Sequence, residues 1–512
     1  MNQFDSIGPP SQVVRNDPFD EELISNVHPA NWTNPRPASC YNLVVVGAGR
    51  AGLVTAAGAA ALGAKVALVE KHLMGGDCLN VGCVPSKALL RSARFYADLQ
   101  QAARFTGGSP ISHEVDFPAV MARMRHLRAH LSHHDSAHRF RSLGVDVFLG
   151  EAAFSDDHTV QVAGESLRFK KAVIATGSHA ARPDIPGLEK AGYLTNETVF
   201  ALTKRPRRLL VIGGGPLGCE MAQAFARLGC TVIIANKERY FLPSEERDAA
   251  DILAHALRRD GIELRHNTLV TSVCLEGSAK RVCLANDHQE SFVLVDEIIA
   301  GVGRAPNVDG LNLEAAQVSY DHDRGVIVND YMQTSNRCIF AVGDVALERK
   351  FTHMAEATAR MVIQNALFLG RKKLSSLIIP WCTYTDPEIA HVGLYLQEGR
   401  QHDLSLKTFT IPMSDVDRAV LDGEDEGFVK IHVRDGTDTI VGATIVARHA
   451  GEMINEISLA MVAGIGLETL SQVIHSYPTQ AEAIRKAADA YRRTRLSPFL
   501  RSLSRRWLAW RR

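Results

Sequence analysis

The sequence predicts an α/β protein: two Rossmann-like three-layer units on parallel sheets, followed by a C-terminal α+β unit. Three observations predict it. The apolar run Tyr41–Val46 enters a Gly-x-Gly-x-x-Gly turn at Gly47, Gly49 and Gly52, and a second run, Arg208–Ile212, enters another at Gly213, Gly215 and Gly218. Beyond about Pro380 the pattern changes to alternating strands without such a fingerprint. At 512 residues the chain is too long for one core, and ordinary domain sizes suggest about three to four.

Residues 1–40 are polar and proline-rich, without sustained periodicity, and read as an extension that is disordered or laid over the surface. Order begins at Tyr41. The strand, the glycine turn, an Ala-rich helix and a second strand ending at Glu70 form one mononucleotide-binding unit. Its glycines let the backbone approach a pyrophosphate at a helix N-terminus, and Glu70 can accept hydrogen bonds from ribose hydroxyls. Next comes the run Gly75-Gly76-Asp77-Cys78-Leu79-Asn80-Val81-Gly82-Cys83, continuing to Lys87. Two thiols so spaced can close a small disulfide that accepts two electrons. A structural bridge and a zinc site are weaker readings, since the other cysteines supply no matching ligand spacing and no metal is expected. The histidines His126, His130, His133, His134 and His138 lack a carboxylate or cysteine framework and read as solvated or packing residues.

The strand Ala172–Ala175 ends in the turn Thr176, Gly177 and Ser178, and Ile339–Val342 ends at Gly343-Asp344; strand C-termini are where open α/β sheets bind ligands. The second fingerprint lies between, so two dinucleotides are expected. After its second strand, Thr231–Ile234, the chain reads Ala235-Asn236-Lys237-Glu238-Arg239, with no acid at the strand end. Lys237 and Arg239 suit a ribose 2′-phosphate, which favours NADPH, with NADH the alternative if both are only solvated charges. Segments at 407–411, 428–433 and 440–445 alternate as half-exposed strands, and with the helical periodicity from Gly451 they define the last unit. The expected boundaries are an extension at 1–40, a first nucleotide unit split over 41–190 and 312–378, a second at 191–311, an α+β domain at 379–490 and a basic tail at 491–512.

Composition narrows the function. The formal net charge is zero, so no global field argues for nucleic acid. The first residues carry no basic n-region followed by an apolar stretch, apolar runs are broken by glycine, and nine cysteines fit a reducing compartment; a cytoplasmic location is expected.

Together these motifs resemble, in order, the flavoprotein disulfide reductases of the pyridine-nucleotide class, from Tyr41 to about Arg495. They include the first fingerprint, the GGxCxNxGCxPSK run, ATGS at 175–178, the second fingerprint followed by Glu220, GxGRxPN at 301–307, AVGD at 341–344, and Tyr477-Pro478-Thr479 with Glu482. The resemblance implies FAD held by the first unit, NAD(P)H by the second, and a C-terminal domain that forms a homodimer. Cys83 would be the thiol nearest the flavin and Cys78 the one that exchanges with a small-molecule acceptor. Lys87 would pair with Glu220 beside the flavin, Asp344 would hold the ribityl chain, and Lys71, Gly76, Thr176, Gly177, Ser178, Gly303 and Arg304 would lie along the cofactors. Tyr477 and Glu482 of one subunit would complete the other's site.

The pattern is mercuric reductase-like in two respects. Tyrosine stands at 477, as in mercuric reductase, where dihydrolipoamide dehydrogenase and glutathione reductase place a basic histidine, and the segment Ala222–Gly229 after the second fingerprint is similar to that of mercuric reductase. A phenol with an ordinary pKa of about 10 is a poor base at neutral pH. The paired terminal cysteines of mercuric reductase have no counterpart, since no cysteine follows Cys382 and the first 40 residues hold only Cys40. The expected activity is NAD(P)H oxidation through FAD and the Cys78/Cys83 disulfide to Hg(II) or a disulfide compound. Dihydrolipoamide dehydrogenase is the alternative enzyme. The alternative of another class is a membrane-associated flavoprotein carrier, or a nucleotide-binding partner protein, without disulfide turnover. Finally, eight arginines interleave with Phe499, Leu500, Leu503, Trp507, Leu508 and Trp510 in the tail. Such a segment suits an anionic membrane interface, but docking on the protein's own surface or on a partner subunit is the preferred expectation.

Overall fold

The computed structural model describes residues 17–108, 114–287 and 289–512. They gather into two compact units: one holds the described residues up to 237 with Asn267–Leu377, the other Glu238–His266 with Ile378–Arg512.

In the first unit, Val145–Leu149, Val66–Glu70, Tyr41–Val46 and Glu165–Ile174 lie side by side. All run parallel, and Ile339–Ala341 joins the C-terminal half of Glu165–Ile174 in the same sense. Central strands covered on both faces must be apolar throughout, and Leu43, Val44 and Val45 are fully buried. A second parallel sheet places Arg208–Ile212 between Thr231–Ala235 and Glu297–Ala300. Each sheet presents its glycine turn at a strand C-terminus, followed by a helix, Arg50–Ala61 in one and Pro216–Arg227 in the other.

The second unit carries a five-stranded antiparallel sheet in the order Pro380–Thr383, Glu388–Gly393, Ile440–Ala447, Phe428–Arg434, Leu406–Pro412. Half-exposed strands were expected here, but Phe428–Val433 is buried at every position. One face packs on the helices Ala450–Val462 and Glu482–Thr494. On the other, Lys430 Nζ donates to Glu246 Oε2 at 2.9 Å and to Asp248 Oδ2 at 2.5 Å, and His432 Nε2 lies 3.2 Å from Glu246 Oε1. Polar residues on the alternating face are thus paired in the interior rather than solvated.

Residues 1–16 of the expected extension lie outside the described residues. The remainder is neither disordered nor irregular throughout, for Pro18–Val27 is a helix. Asp17 caps it through a bond from the Asp20 amide at 2.9 Å, and proline fits the first turn, where its missing N–H costs nothing. Leu23 and Val27 are fully buried, and Arg128 Nη2 donates to Asp20 Oδ1 at 2.8 Å with both residues 1% exposed.

The tail forms a helix, Pro498–Trp510, begun by Ser497, whose Oγ accepts from the Leu500 amide at 3.2 Å. The preferred expectation of docking on the chain's own surface is corrected: no residue of this helix is buried. Proline at its first position starts it afresh after Arg495, so its direction is not dictated by the packed helix before it. Among the described residues, no helix is long and apolar enough to cross a membrane.

Candidate active site

The glycines of the two fingerprints divide by what surrounds them. A Cβ on Gly47, whose φ is +102°, would lie 2.4 Å from the Ala175 carbonyl oxygen, and one on Gly52 would lie 1.8 Å from that of Gly47. The second turn repeats this, with Gly213 2.3 Å from the Gly301 oxygen and Gly218 2.2 Å from that of Gly213. These four glycines are demanded by the chain's own packing. The middle ones are not: the atom nearest a Cβ on Gly49 is Gly76 Cα at 3.8 Å, and at Gly215 nothing lies within 4 Å. Gly49 and Gly215 are also the N-caps of the two helices, with no side-chain cap over the first-turn amides. Open space before uncapped amides at the positive end of a helix is what a pyrophosphate requires. The donor set of both units therefore fits a dinucleotide. Glu70 is fixed beside the first cradle, its Oε2 accepting the Ala48 amide at 2.7 Å and its Oε1 the His72 amide at 2.8 Å. Lys71, next to it, is exposed.

The cysteine run lies against the first cradle, since a Cβ on Gly76 would come within 2.7 Å of Gly49 Cα. Cys78 sits in the short helix Gly76–Asn80 and Cys83 opens the helix Cys83–Gln100. Both are thiols here; Cys78 is half-buried and Cys83 keeps an exposed face. They share a hydrogen bond, and Cys83 Sγ lies 3.4 Å from Thr352 Oγ1. The bond from Cys78, then that from Thr352 and the charge of Lys87, hold the Cys83 thiol down at about 6, against the desolvation of its surroundings. Cys78 is pushed up, first by its bond to Cys83 and then by burial. The coupling sets the two apart, favouring the anion on Cys83 and the proton on Cys78.

Lys87 stands one helical turn after Cys83, and its Nζ donates to Glu220 Oε2 at 2.8 Å. Glu220, on the helix after the second fingerprint, is 4% exposed, so this pair links the two nucleotide units at the dithiol. Next to Cys78 in the chain, the Asp77 carboxylate bonds to Arg304, whose Nε donates to Ser178 Oγ at 2.7 Å. Ser178 Oγ in turn donates to Asp344 Oδ2 at 2.7 Å. Thr176 Oγ1 donates to the Asn307 carbonyl at 2.7 Å, and Asn307 Nδ2 returns a bond to the Thr176 carbonyl at 2.8 Å. A Cβ on Gly177 or Gly303 would meet nothing within 4 Å. Thr352, Asp77 and Asn307 were not singled out from the sequence as site residues. Asp77 and Asn307 lie inside quoted motifs, whereas Thr352 has no local signal beyond its place at the start of the helix Thr352–Leu367.

Within the second unit, Tyr477 is 69% exposed and its hydroxyl donates to Asp417 Oδ2 at 2.9 Å. That bond and the Asp417 charge raise the phenol further from neutrality. Glu482 is buried; its Oε1 accepts from Arg485 at 2.7 Å, while its Oε2 has no hydrogen-bond partner among the described residues. His475 pairs instead with Glu456 at 3.0 Å. Lys237 and Arg239 are exposed, with Arg239 5.4 Å from the Tyr240 ring. The five histidines of 126–138 are exposed, and among the described residues no group of three or more His, Cys, Asp or Glu side chains could hold a metal ion.

Comparison with known proteins agrees with this geometry. The pyridine nucleotide-disulphide oxidoreductase family matches residues 41–366, and that family's dimerisation domain matches 379–488. A mercuric reductase of Staphylococcus aureus is 34% identical over 448 residues, covering 88% of this chain and 82% of the relative. A dihydrolipoyl dehydrogenase of Thermus scotoductus is 33% identical over 459 residues, covering 88% and 97%. Among solved structures, the HOCl-induced flavoprotein disulfide reductase RclA of Escherichia coli matches with a TM-score of 0.79 at 27% identity, covering 88% of this chain and 99% of that one. A Cu(II) complex of RclA matches with a TM-score of 0.78 at 27% identity, covering 87% and 98%.

Proposed function

Because the chain belongs to the pyridine nucleotide-disulphide oxidoreductases and carries that family's dimerisation domain, we propose that it is a homodimeric, FAD-dependent NADPH oxidoreductase. In this reading the Cys78/Cys83 pair passes two electrons to a soft metal ion, Hg(II), or to a small disulfide. The single observation that carries it is the Cys78/Cys83 run lying against the first dinucleotide cradle, with Lys87 of the same run bonded to Glu220 on the helix that follows the second.

When bound, FAD supplies the two-electron relay between nicotinamide and disulfide. Gly47, Gly49, Gly52, Glu70, Thr176, Ser178, Arg304 and Asp344 would hold it; Gly213, Gly215, Gly218, Lys237 and Arg239 would hold NADPH. A hydride carries two electrons and one proton, which together would open the disulfide to one thiolate and one thiol, with the negative charge held on Cys83 and the transferable proton on Cys78. Half-buried Cys78 exchanges with a disulfide acceptor, or the two sulfurs together offer the soft ligands Hg(II) prefers. Tyr477 and Glu482 enter as the contribution of the partner subunit. Nine cysteines in a chain of this length suit a reducing, cytoplasmic compartment.

The lipoamide reading needs a base at 477. The raised Tyr477 phenol weakens it, so Tyr477→His is expected to raise turnover with lipoamide about tenfold or more. The test of the proposal is oxidation of NADPH and NADH against Hg(II), Cu(II), lipoamide, glutathione disulfide and quinones. Hg(II)-dependent NADPH oxidation that Cys78→Ser removes is the expected outcome. Quinone reduction indifferent to Cys78→Ser would instead favour a flavoprotein carrier without disulfide turnover.

A further inference from the structure

The helix Pro498–Trp510 has an apolar side that is exposed among the described residues. Residues 492–512 hold eight arginines and no acid, while the whole chain is formally neutral, so the rest of the protein carries the balancing eight negative charges. At about 100° per residue, Phe499, Leu500, Leu503, Trp507, Leu508 and Trp510 fall on one half of the helix. Arg501, Arg505 and Arg506 fall on the other. Trp507 and Trp510 lie with ring centroids 5.2 Å apart and are 55% and 76% exposed.

We propose that this helix lies on an anionic membrane surface and holds the enzyme there. Charge complementarity selects that occupant. The helix has no acid to register it against a basic partner and several arginines that an anionic headgroup layer would neutralise together. The apolar half offers two indoles, whose flat rings and N–H donors suit the headgroup boundary. With only 13 residues it is too short to span a bilayer, so it lies in the interface plane. Arg511, whose guanidinium sits 5.9 Å from the Trp507 ring, can extend to the phosphates from the edge of the apolar side. Two such helices in a homodimer would strengthen binding by avidity. The inference is independent of which acceptor the dithiol reduces.

The test is flotation of the full-length, FAD-loaded protein with vesicles of phosphatidylglycerol or of phosphatidylcholine. Partitioning into phosphatidylglycerol should exceed that into phosphatidylcholine by about tenfold or more and fall as salt is added. The Leu503→Glu/Trp507→Glu pair should remove it, and Arg505→Ala/Arg506→Ala should weaken it while leaving NADPH oxidation in solution unchanged. No residue of the helix is buried, so neither pair touches the core. Equal flotation with both lipids, or unchanged flotation of the Leu503→Glu/Trp507→Glu variant, overturns the proposal. So does a variant that alters only the sedimentation mass, which would assign the helix to a second copy of this chain.

Discussion

Cys83 receives a hydrogen bond from Cys78, lies 3.4 Å from the Thr352 hydroxyl and feels the Lys87 charge, and all three favour its anion. A free thiol ionises near about 8.5, whereas this one is held at about 6. Its folded value is depressed, so in the two-electron-reduced protein the thiolate is present above about 6 and is lost as pH falls through it. The long-wavelength absorption of a thiolate against oxidised flavin is expected to follow that curve; a midpoint near the ordinary thiol value contradicts it. Thr352→Val removes one donor, worth about 1.5 kcal/mol for a bond to a charged group, and should raise the midpoint by about one unit. Tyr477 is expected to behave differently. Exposed and bonded to Asp417, it has no proton to exchange near neutrality, so Tyr477→Phe should leave the pH profile of NADPH oxidation unmoved.

The helix Pro18–Val27 lies outside the residues matched by the family, yet it reaches the redox loop. Asp20 pairs with Arg128 at 2.8 Å, and Arg128 Nη1 donates to the Asn80 carbonyl, between the two cysteines, at 2.9 Å. The Met74 amide donates to Val27 O at 3.2 Å. Removing one member leaves an uncompensated buried charge, so Asp20→Asn should cost about 3–5 kcal/mol in urea unfolding. Asp20→Leu combined with Arg128→Met should recover most of that loss, and a double variant as unstable as the single one contradicts the ion-pair account. This element also shows what was legible. The fingerprints were readable because a glycine's steric need is local to its turn, and Lys87 and Glu220 because each sits within a motif. Asp20 and Arg128 are 108 residues apart, and Cys83 and Thr352 are 269 apart; only folding brings such pairs together. The buried strand Phe428–Val433 was misread for the same reason, since its polar partners come from Glu246 and Asp248.

In the molecule as a whole, the Lys87–Glu220 pair joins the two nucleotide cradles beside one dithiol. The cofactor choice rests on the loop after Thr231–Ala235, where no acid stands at the strand end and Lys237 is exposed. Lys237→Ala is expected to lower kcat/KM for NADPH about tenfold and to leave that for NADH nearly unchanged. Equal losses for both nucleotides would show that the lysine does not read the 2′-phosphate. The most direct test of the central claim is an anaerobic titration of the FAD-loaded protein with NADPH, following absorbance and counting thiols. After the first two electron equivalents, two new thiols and a long-wavelength band that Cys83→Ser abolishes are predicted. Bleaching of the flavin with no new thiols would contradict electron passage through Cys78 and Cys83.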